Sequence, residues 1–356
     1  MRVKLKDITK FSKGTQINGK NLIDDGAYSY LNGGINPSGK WNEFNVAENT
    51  VTISEGGNSS GYVNYMNEAF WCGAHCYYLY DGPKNSKYLY YALKSQQERL
   101  FRIRSGACMP NIKKSDLGNF IIEYEEDETR QEEVVKVLEK CELLIEDYNK
   151  KLALLDEAVR ARFVEMFGDL KVNDKGWKYY KLDELTELIT DGEHATPKRT
   201  TQGIYLLSAR NVLNHQLSLE DVDYIDYDEF SRISRRIIPR EGDVLISCSG
   251  SIGRCCVVPK NIKFQMVRSI ALLRFKSNIN PVFAEYMITS DYLQDQINKS
   301  KTASSQANLF QGKIKSLKGV VPPLELQNQF ASFVEEIDKS RLLSNHSLFL
   351  IKSIIF

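Results

Sequence analysis

The sequence predicts a mixed α+β protein: two similar globules separated by two long helices that pair antiparallel as a coiled coil, the whole forming an internal pseudo-two-fold repeat. Three observations carry this: an ordered set of internal matches, a sustained heptad run, and short β-branched segments bounded by Gly, Ser or Pro. The matches matter most, because a repeat decides the architecture. VKLKDIT, Val3 to Thr9, matches YKLDELT, Tyr180 to Thr186, at an offset of 177. NTVTISEGGNSSG, Asn49 to Gly61, matches GDVLISCSGSIG, Gly242 to Gly253, at 193. SKYLYYALKS from Ser86 matches PVFAEYMITS from Pro281 at 195, and Asn111-Ile112 matches Asn308-Leu309 at 197. Last, TRQEEVVKVLEK from Thr129 matches ELQNQFASFVEE from Glu325 at 196. Five matches in one order with slowly drifting offsets describe two copies of one unit.

Taken along the chain, residues 1–124 form the first globule, with TVTIS as a strand and YLYYAL as a short helix. Residues 125–169 form the central helix. Its apolar positions Val134, Leu138, Cys141, Ile145, Tyr148, Leu152, Leu155, Val159 and Met166 follow steps of four and three, a coiled-coil seam interrupted only at Arg162. A helix from about Glu126 to Gly168 would reach roughly 65 Å at 1.5 Å per residue. Residues 170–324 form the second globule, with DVLIS, RCCVV and IALLRF as strands and FAEYMITSDYLQDQI as helix. Residues 325–356 form the closing helix, whose seam is Phe330, Val334, Ile337, Leu348 and Ile351, with Arg341 and Ser344 as polar interruptions. It is expected to be shorter than its twin and to close the helix pair more weakly.

Composition sets the class. With 356 residues, 42% apolar and 11% aromatic, the chain can bury more than one core. Its first residues lack the apolar core of a signal peptide and no run approaches a membrane span, so a cytoplasmic protein without membrane contact is expected. Seven cysteines without regular spacing fit reduced thiols. Cys72, His75 and Cys76 have half the spacing of a zinc site but no second pair, so a buried thiol cluster beside Trp71 is expected. The formal charge of +1 hides a pattern: +4 over residues 1–124, −7 over 125–169, +5 over 170–324 and −1 over 325–356. The globules, and not the rod, are suited to face a polyanion.

The loops hold candidates for that contact. In the first globule these are Lys40, Ser59, Arg102, Arg104 and Lys113. In the second, TPKRTTQG supplies Lys198 and Arg199, SARNV supplies Arg210 and Asn211, and the turn after DVLIS supplies Ser249, Ser251 and Arg254. Arg268 follows, as do Lys299 and Lys301 in NKSKTASSQAN; FSRISRR is a further basic stretch. Arg can pair with two acceptors of guanine, and Asn with adenine. For the Gly/Ser stretch after DVLIS two readings stay open: close approach to a phosphate or groove, or a tight turn between strands.

No catalytic pattern accompanies these loops. The four histidines lie in unrelated contexts, and neither a phosphate loop ending in Lys-Ser or Lys-Thr nor a hydrolase nucleophile elbow occurs. Asn280 to Phe283, NPVF, has the outline of the Asn-Pro-Pro-aromatic loop of amino-methyltransferases without its second proline. No metal site and no cofactor are expected in this chain.

Over essentially its whole length the chain resembles the specificity subunit of type I restriction–modification systems. The resemblance rests on the two-unit order, on the starts VKLKDIT and WKYYKLDELT, on GDVLIS with its Gly/Ser turn, on PPLELQNQF leading into the closing helix, and on LDEAVRARFVEMFGD ending the central one. It implies a non-catalytic chain in which each globule is a target recognition domain reading one half of a split double-stranded DNA sequence. The helices would act as spacer and as dock for two methyltransferase subunits that hold the S-adenosylmethionine; whether restriction subunits join them is left open by the sequence. Two other readings are a solitary or fused adenine-specific DNA methyltransferase and a coiled-coil assembly protein without a DNA role.

Overall fold

The structure, a computed structural model, describes residues 1–106, 108–300 and 308–355. Contacts divide the chain into Met1–Lys150 with Ser344–Phe356, and Lys151–Leu343. Each long helix is therefore shared between the units.

In the first unit the order is β1 (Arg2–Lys4), α1 (Leu5–Ile8), β2 (Lys10–Lys13), β3 (Tyr28–Leu31), β4 (Gly39–Trp41), β5 (Thr50–Ser54), β6 (Val63–Met66), β7 (Phe70–Cys72) and β8 (Cys76–Tyr80). Helices α2 (Ser86–Lys94), α3 (Gln97–Arg102) and α4 (Lys114–Gly118), strand β9 (Ile121–Glu123) and the first part of α5 (Glu128–Phe167) follow. The strands form a four-stranded sheet β2-β8-β5-β6, a three-stranded sheet β4-β3-β7 and the pair β1-β9. TVTIS lies inside the first sheet, and its buried Val51 and Ile53 join Leu5, Tyr77, Leu89, Leu93 and Ile112 in one core. A strand covered on both faces needs such a run of β-branched residues rather than an alternating pattern.

The second unit repeats this plan strand for strand. After the rest of α5 come β10 (Tyr179–Lys181), α6 (Leu182–Leu185), β11 (Thr186–Asp191), β12 (Ile204–Leu207), β13 (Val212–Leu213), β14 (Gln216–Leu217), β15 (Asp223–Ile225) and α7 (Tyr227–Ser234). Then follow β16 (Val244–Ser247), β17 (Cys255–Val257), β18 (Phe264–Met266), β19 (Ile270–Phe275), α8 (Pro281–Thr289), α9 (Asp291–Ser300), α10 (Gln311–Ser316), β20 (Lys318–Val320) and α11 (Leu324–Ile355). The sheets are β11-β19-β16-β17, β15-β12-β18 and β10-β20, with β13-β14 as an added hairpin. Even the odd features recur: β3 pairs with β7 in parallel as β12 does with β18, and the isolated bridge Gly56 to Asn111 returns as Ser249 to Asn308.

Start signals are repeated too. Asn85 caps α2 by accepting from the Tyr88 amide, and Asn280 caps α8 by accepting from Val282 and Phe283, with Pro281 in the first turn. NPVF is thereby explained as a helix start. In the first turns of each long helix stands a buried glutamine. Gln131 donates to the Glu125 carbonyl and the Tyr124 hydroxyl, while Gln327 donates to Pro322 and Asn278 and accepts from the Asn280 amide.

The seam prediction requires one correction. Val134 is 42% exposed, because the buried stripe at that end of α5 runs through Gln131, half-buried Val135 and half-buried Leu138. Cys141, Val159, Phe330 and Val334 are buried, and Ile145, Tyr148, Leu152, Leu155, Ile337, Leu348 and Ile351 are half-buried. Within the second unit the helices run antiparallel: Asp156 meets Arg341, while further along α5 Phe163 meets Phe330, which precedes Arg341 on α11. The polar interruptions are packed into the seam, since the half-buried Arg341 reaches both Asp156 and Asp338 and Ser344 is buried.

Candidate nucleic-acid interface

In the second unit, backbone hydrogen bonds stitch the predicted loops into one cluster. Ser269, in the turn between β18 and β19, accepts from the Ala209 amide through its hydroxyl at 3.0 Å and from the Cys248 amide through its carbonyl at 2.8 Å. Beside it the Arg268 amide donates to the Glu193 carbonyl, and the Leu309 amide donates to Cys248. SARNV, the turn after DVLIS, the Arg268 turn and the residues leading into TPKRTTQG thus converge, although they are far apart in sequence.

The turn after DVLIS is a hairpin turn between β16 and β17. The Ser247 hydroxyl donates to the Ser251 carbonyl at 2.6 Å and accepts from the Arg254 amide at 3.0 Å, so its hydrogen-bonding capacity serves the turn itself. Gly250 and Gly253 have φ of 67° and 88°, which explains why glycine stands at both positions. Burial pushes the Cys248 thiol up to about 12, so it is an inert part of the core. Ser251 is exposed, while Ser249 and Arg254 are half-buried.

Around this cluster, Arg199 donates through Nε to Asp223 at 3.0 Å. Arg210 donates through Nε to the Asp221 carbonyl at 2.9 Å, and its Nη2 lies 3.2 Å from Asp223. Lys198, Arg268 and Lys299 are exposed. Lys301 lies outside the described residues. One expectation is overturned. Asn211 is 1% exposed and its side chain is consumed internally, donating to Ser218 and Asp221 and accepting from the Ser208 amide, so it holds the 3-10 turn Ala209–Asn211 and cannot read a base. FSRISRR belongs largely to α7, and its three arginines are exposed, two of them engaged within the protein: Arg232 pairs with Glu229 and Glu193, and Arg236 donates to Gly192 and Thr190. Arg232 in turn holds the Glu229 carboxyl below its usual range.

In the first unit the glycine-rich loop after TVTIS is laced to the segment before α4. The Gly57 amide donates to Pro110, and the Ile112 amide to Glu55. Arg104 lies with its guanidinium 4.0 Å over the Phe101 ring and donates to the Asn58 carbonyl, next to Ser59, whose hydroxyl donates to Gly33 at 2.6 Å. Lys113, at the start of α4, and Arg102, at the end of α3, are exposed. Lys40 is exposed on β4, in the other sheet.

Cys72 and Cys76 are buried with Leu31, Val46 and Phe70, and the Cys72 thiol is pushed well up by its hydrogen bond with Cys76 and by burial. Among the described residues, no cluster of His, Cys, Asp or Glu could hold a metal ion, and no helix is long and apolar enough to cross a membrane.

Sequence reasoning missed Asp221 and Asp223. The role of Asp223 depends on the register of β12 against β15, where Leu206 stands opposite it, and a lone sequence does not display cross-strand partners.

Comparison with known proteins agrees with this geometry. In sequence, the chain is 32% identical over 209 residues to a putative type I specificity subunit of Mycoplasma pneumoniae, covering 51% of this chain and 56% of the relative. It is 32% identical over 201 residues to one of Mycoplasma genitalium, covering 49% and 52%. The matches thus span about half the length of these curated relatives. In structure, it superposes on the type I restriction–modification S subunit from M. genitalium with a TM-score of 0.64 at 19% identity, covering 100% of this chain and 93% of that one. A chain from a type I restriction–modification system solved for its complex assembly and conformational transition superposes with a TM-score of 0.54 at 14% identity, covering 100% and 95%. These two likenesses bear on the fold. The family model of the type I restriction modification DNA specificity domain matches twice, over residues 1–156 and 174–351, and the chain therefore belongs to that family.

Proposed function

We propose that this chain is the non-catalytic DNA-recognition subunit of a type I restriction–modification complex, each globule reading one half of a bipartite duplex target. The observation that carries the reading is the strand-for-strand repetition of one fold with different side chains on equivalent loops. Two related readers of unlike chemistry suit a split, asymmetric target. The long helices space the readers and dock two methyltransferase subunits, in which S-adenosylmethionine is bound. Supporting the docking role, the helices expose Leu143, Leu144 and Leu154 on α5, and Leu342, Leu343, Phe349, Leu350 and Ile354 on α11. A DNA partner inside the cell places the protein in the cytoplasm.

The test exchanges residues 170–324 for the equivalent segment of a related chain and maps methylation in cells. The expected result is a hybrid motif, old in one half and new in the other. A motif that changes in both halves, or in neither, would overturn the assignment of one half-site per globule.

A further inference from the structure

We propose that Arg199 is a guanine-reading residue of the second globule, and that Asp223 is the positioning residue that aims it; this rests on the DNA-recognition reading above. The geometry begins with the backbone. Immediately before Arg199, the Lys198 amide donates to the Glu229 carboxylate at 3.1 Å, and immediately after it the Thr200 amide donates to the Tyr224 carbonyl at 2.9 Å. An arginine in an exposed loop is thus tied down on both sides. Its side chain is tied as well, by Nε to Asp223, yet 45% of it remains exposed.

What stays unengaged is informative. Among the described residues neither terminal nitrogen of Arg199 makes a protein hydrogen bond, whereas Arg210 commits both Nε and Nη2 to Asp221 and Asp223. A guanidinium fixed by Nε presents Nη1 and Nη2 as a parallel pair of donors, the arrangement that guanine O6 and N7 accept in the major groove. Arg210 is then a brace for Asp223 and not a reader, although its sequence context is equally basic. Charge argues for a base edge over a phosphate. Arg199 and Arg210 are balanced by Asp221 and Asp223, so the cluster has little net pull on a polyanion, and what it offers is direction. Exposed Lys198 and Arg268, which form no ion pair among the described residues, carry the charge that phosphates need.

The bracket belongs to the second globule alone. Strand pairing sets Gly39 opposite Tyr30 where Asp223 stands opposite Leu206, so the first globule lacks a carboxylate there. Whatever Arg199 reads should therefore lie in one half-site.

The experiment takes the full chain, co-expressed with the methyltransferase subunits of its own genome, and selects bound duplexes from a random-sequence pool at two salt concentrations. Arg199→Ala and Arg199→Lys are compared with the unaltered chain, along with Asp223→Asn, and thermal unfolding checks that each is folded. The expected result is that both Arg199 variants lose a preference for guanine at a single position, by roughly 5- to 150-fold, with the other half of the motif intact. Lysine fails because it is a point donor and not a fork. Asp223→Asn weakens the same preference at the same position and no other, which a general loss of stability would not do. If a split motif is recovered but the Arg199 variants leave it unchanged, the proposal falls while the DNA-recognition reading stands. A uniform loss of affinity with a shallower salt dependence would make Arg199 a phosphate contact and overturn the proposal equally. Should the unaltered complex enrich no split motif, the underlying reading fails first.

Discussion

The two units share three sheets, the β13-β14 hairpin being an addition in the second, and differ in how each globule is fixed to the long helices. In the second unit the contact is an aromatic wedge. Phe283 and Tyr286 of α8 meet Phe163 and Phe167 of α5 and Phe330 of α11, with ring centroids between 4.7 and 6.5 Å. In the first unit the equivalent positions on α2, 195 residues earlier, are Tyr88 and Tyr91. Tyr88 packs edge-on against Tyr124 at 5.5 Å, and the Tyr91 hydroxyl donates to Glu142 at 2.8 Å. Burial, followed by the hydrogen bond to Glu142, pushes the Tyr91 phenol well above its ordinary value. One backbone plan thus accepts close packing in one copy and a hydrogen-bonded tyrosine in the other. The lesson is that a repeat preserves which elements meet, not the chemistry with which they meet.

Mutations of the two contacts put a size on that difference. Phe163→Ala removes the ring that four other aromatic rings touch and should cost about 3–5 kcal/mol, the range for truncating a buried Phe. Tyr91→Phe removes one hydroxyl and leaves the partly exposed Glu142 free to take water, so about 1 kcal/mol is expected. Denaturant midpoints of the two variants would measure the ratio. Equal losses would show that the wedge contributes no more than the hydrogen bond and would erase the contrast.

A smaller contrast lies where the long helices begin. Gln131 and Gln327 occupy equivalent positions, but the described hydrogen bonds of Gln327 include an acceptor role toward the Asn280 amide that those of Gln131 do not match. Replacing Gln327 by Leu orphans the half-buried Asn280 amide as well as the Pro322 and Asn278 carbonyls and should cost about 2–3 kcal/mol, against about 1 kcal/mol for Gln131→Leu. The same titrations read the difference. A larger loss at Gln131 would mean that the two helix starts are not built alike.

Much of this architecture is legible in the sequence, for a physical reason. Repeats and heptads are written in apolar spacing, and TVTIS, DVLIS and IALLRF carry the β-branched or apolar runs that a buried strand requires. What is not legible depends on partners brought from far along the chain. Val134 has seam spacing, yet the stripe passes through Val135, because a one-residue rotation of the helix leaves no trace in a four-three pattern. Asn211 has the residue type of an adenine reader, but three local partners consume its amide. Arg199 and Arg210 are indistinguishable as letters and both reach Asp223; what separates them is that Arg210 commits Nε to Asp221 and Nη2 to Asp223, while Arg199 commits Nε alone. Composition identifies loops that could bind DNA; cross-strand register decides which of their side chains are free to do so.

The gentlest test of the comparison uses pH. Glu285 on α8 is 5% exposed, and its counterpart in the first unit is Tyr90, so the buried carboxyl is specific to the second unit. Burial is the main cause that raises its pKa above the ordinary value of about 4.5; His215, with Nδ1 at 3.4 Å from Oε1, opposes the rise, and Asp338 on α11 adds to it. A carboxyl whose pKa is higher folded than unfolded favours the folded state while protonated. Its contribution is complete below about 4.5 and is lost as pH climbs through the raised folded value. Glu285→Gln is neutral throughout, so it should be more stable than the natural chain at neutral pH, with the advantage shrinking as pH falls toward the unfolded value. Tyr90, which burial raises to about 12, stays neutral over this range, and Tyr90→Phe should show a flat difference from pH 5 to 8. Unfolding midpoints measured across that range decide the matter. An advantage of Glu285→Gln that grows toward acid would mean that the ion pair with His215, and not desolvation, governs this carboxyl, and the second unit would then gain stability from a charge that the first unit lacks.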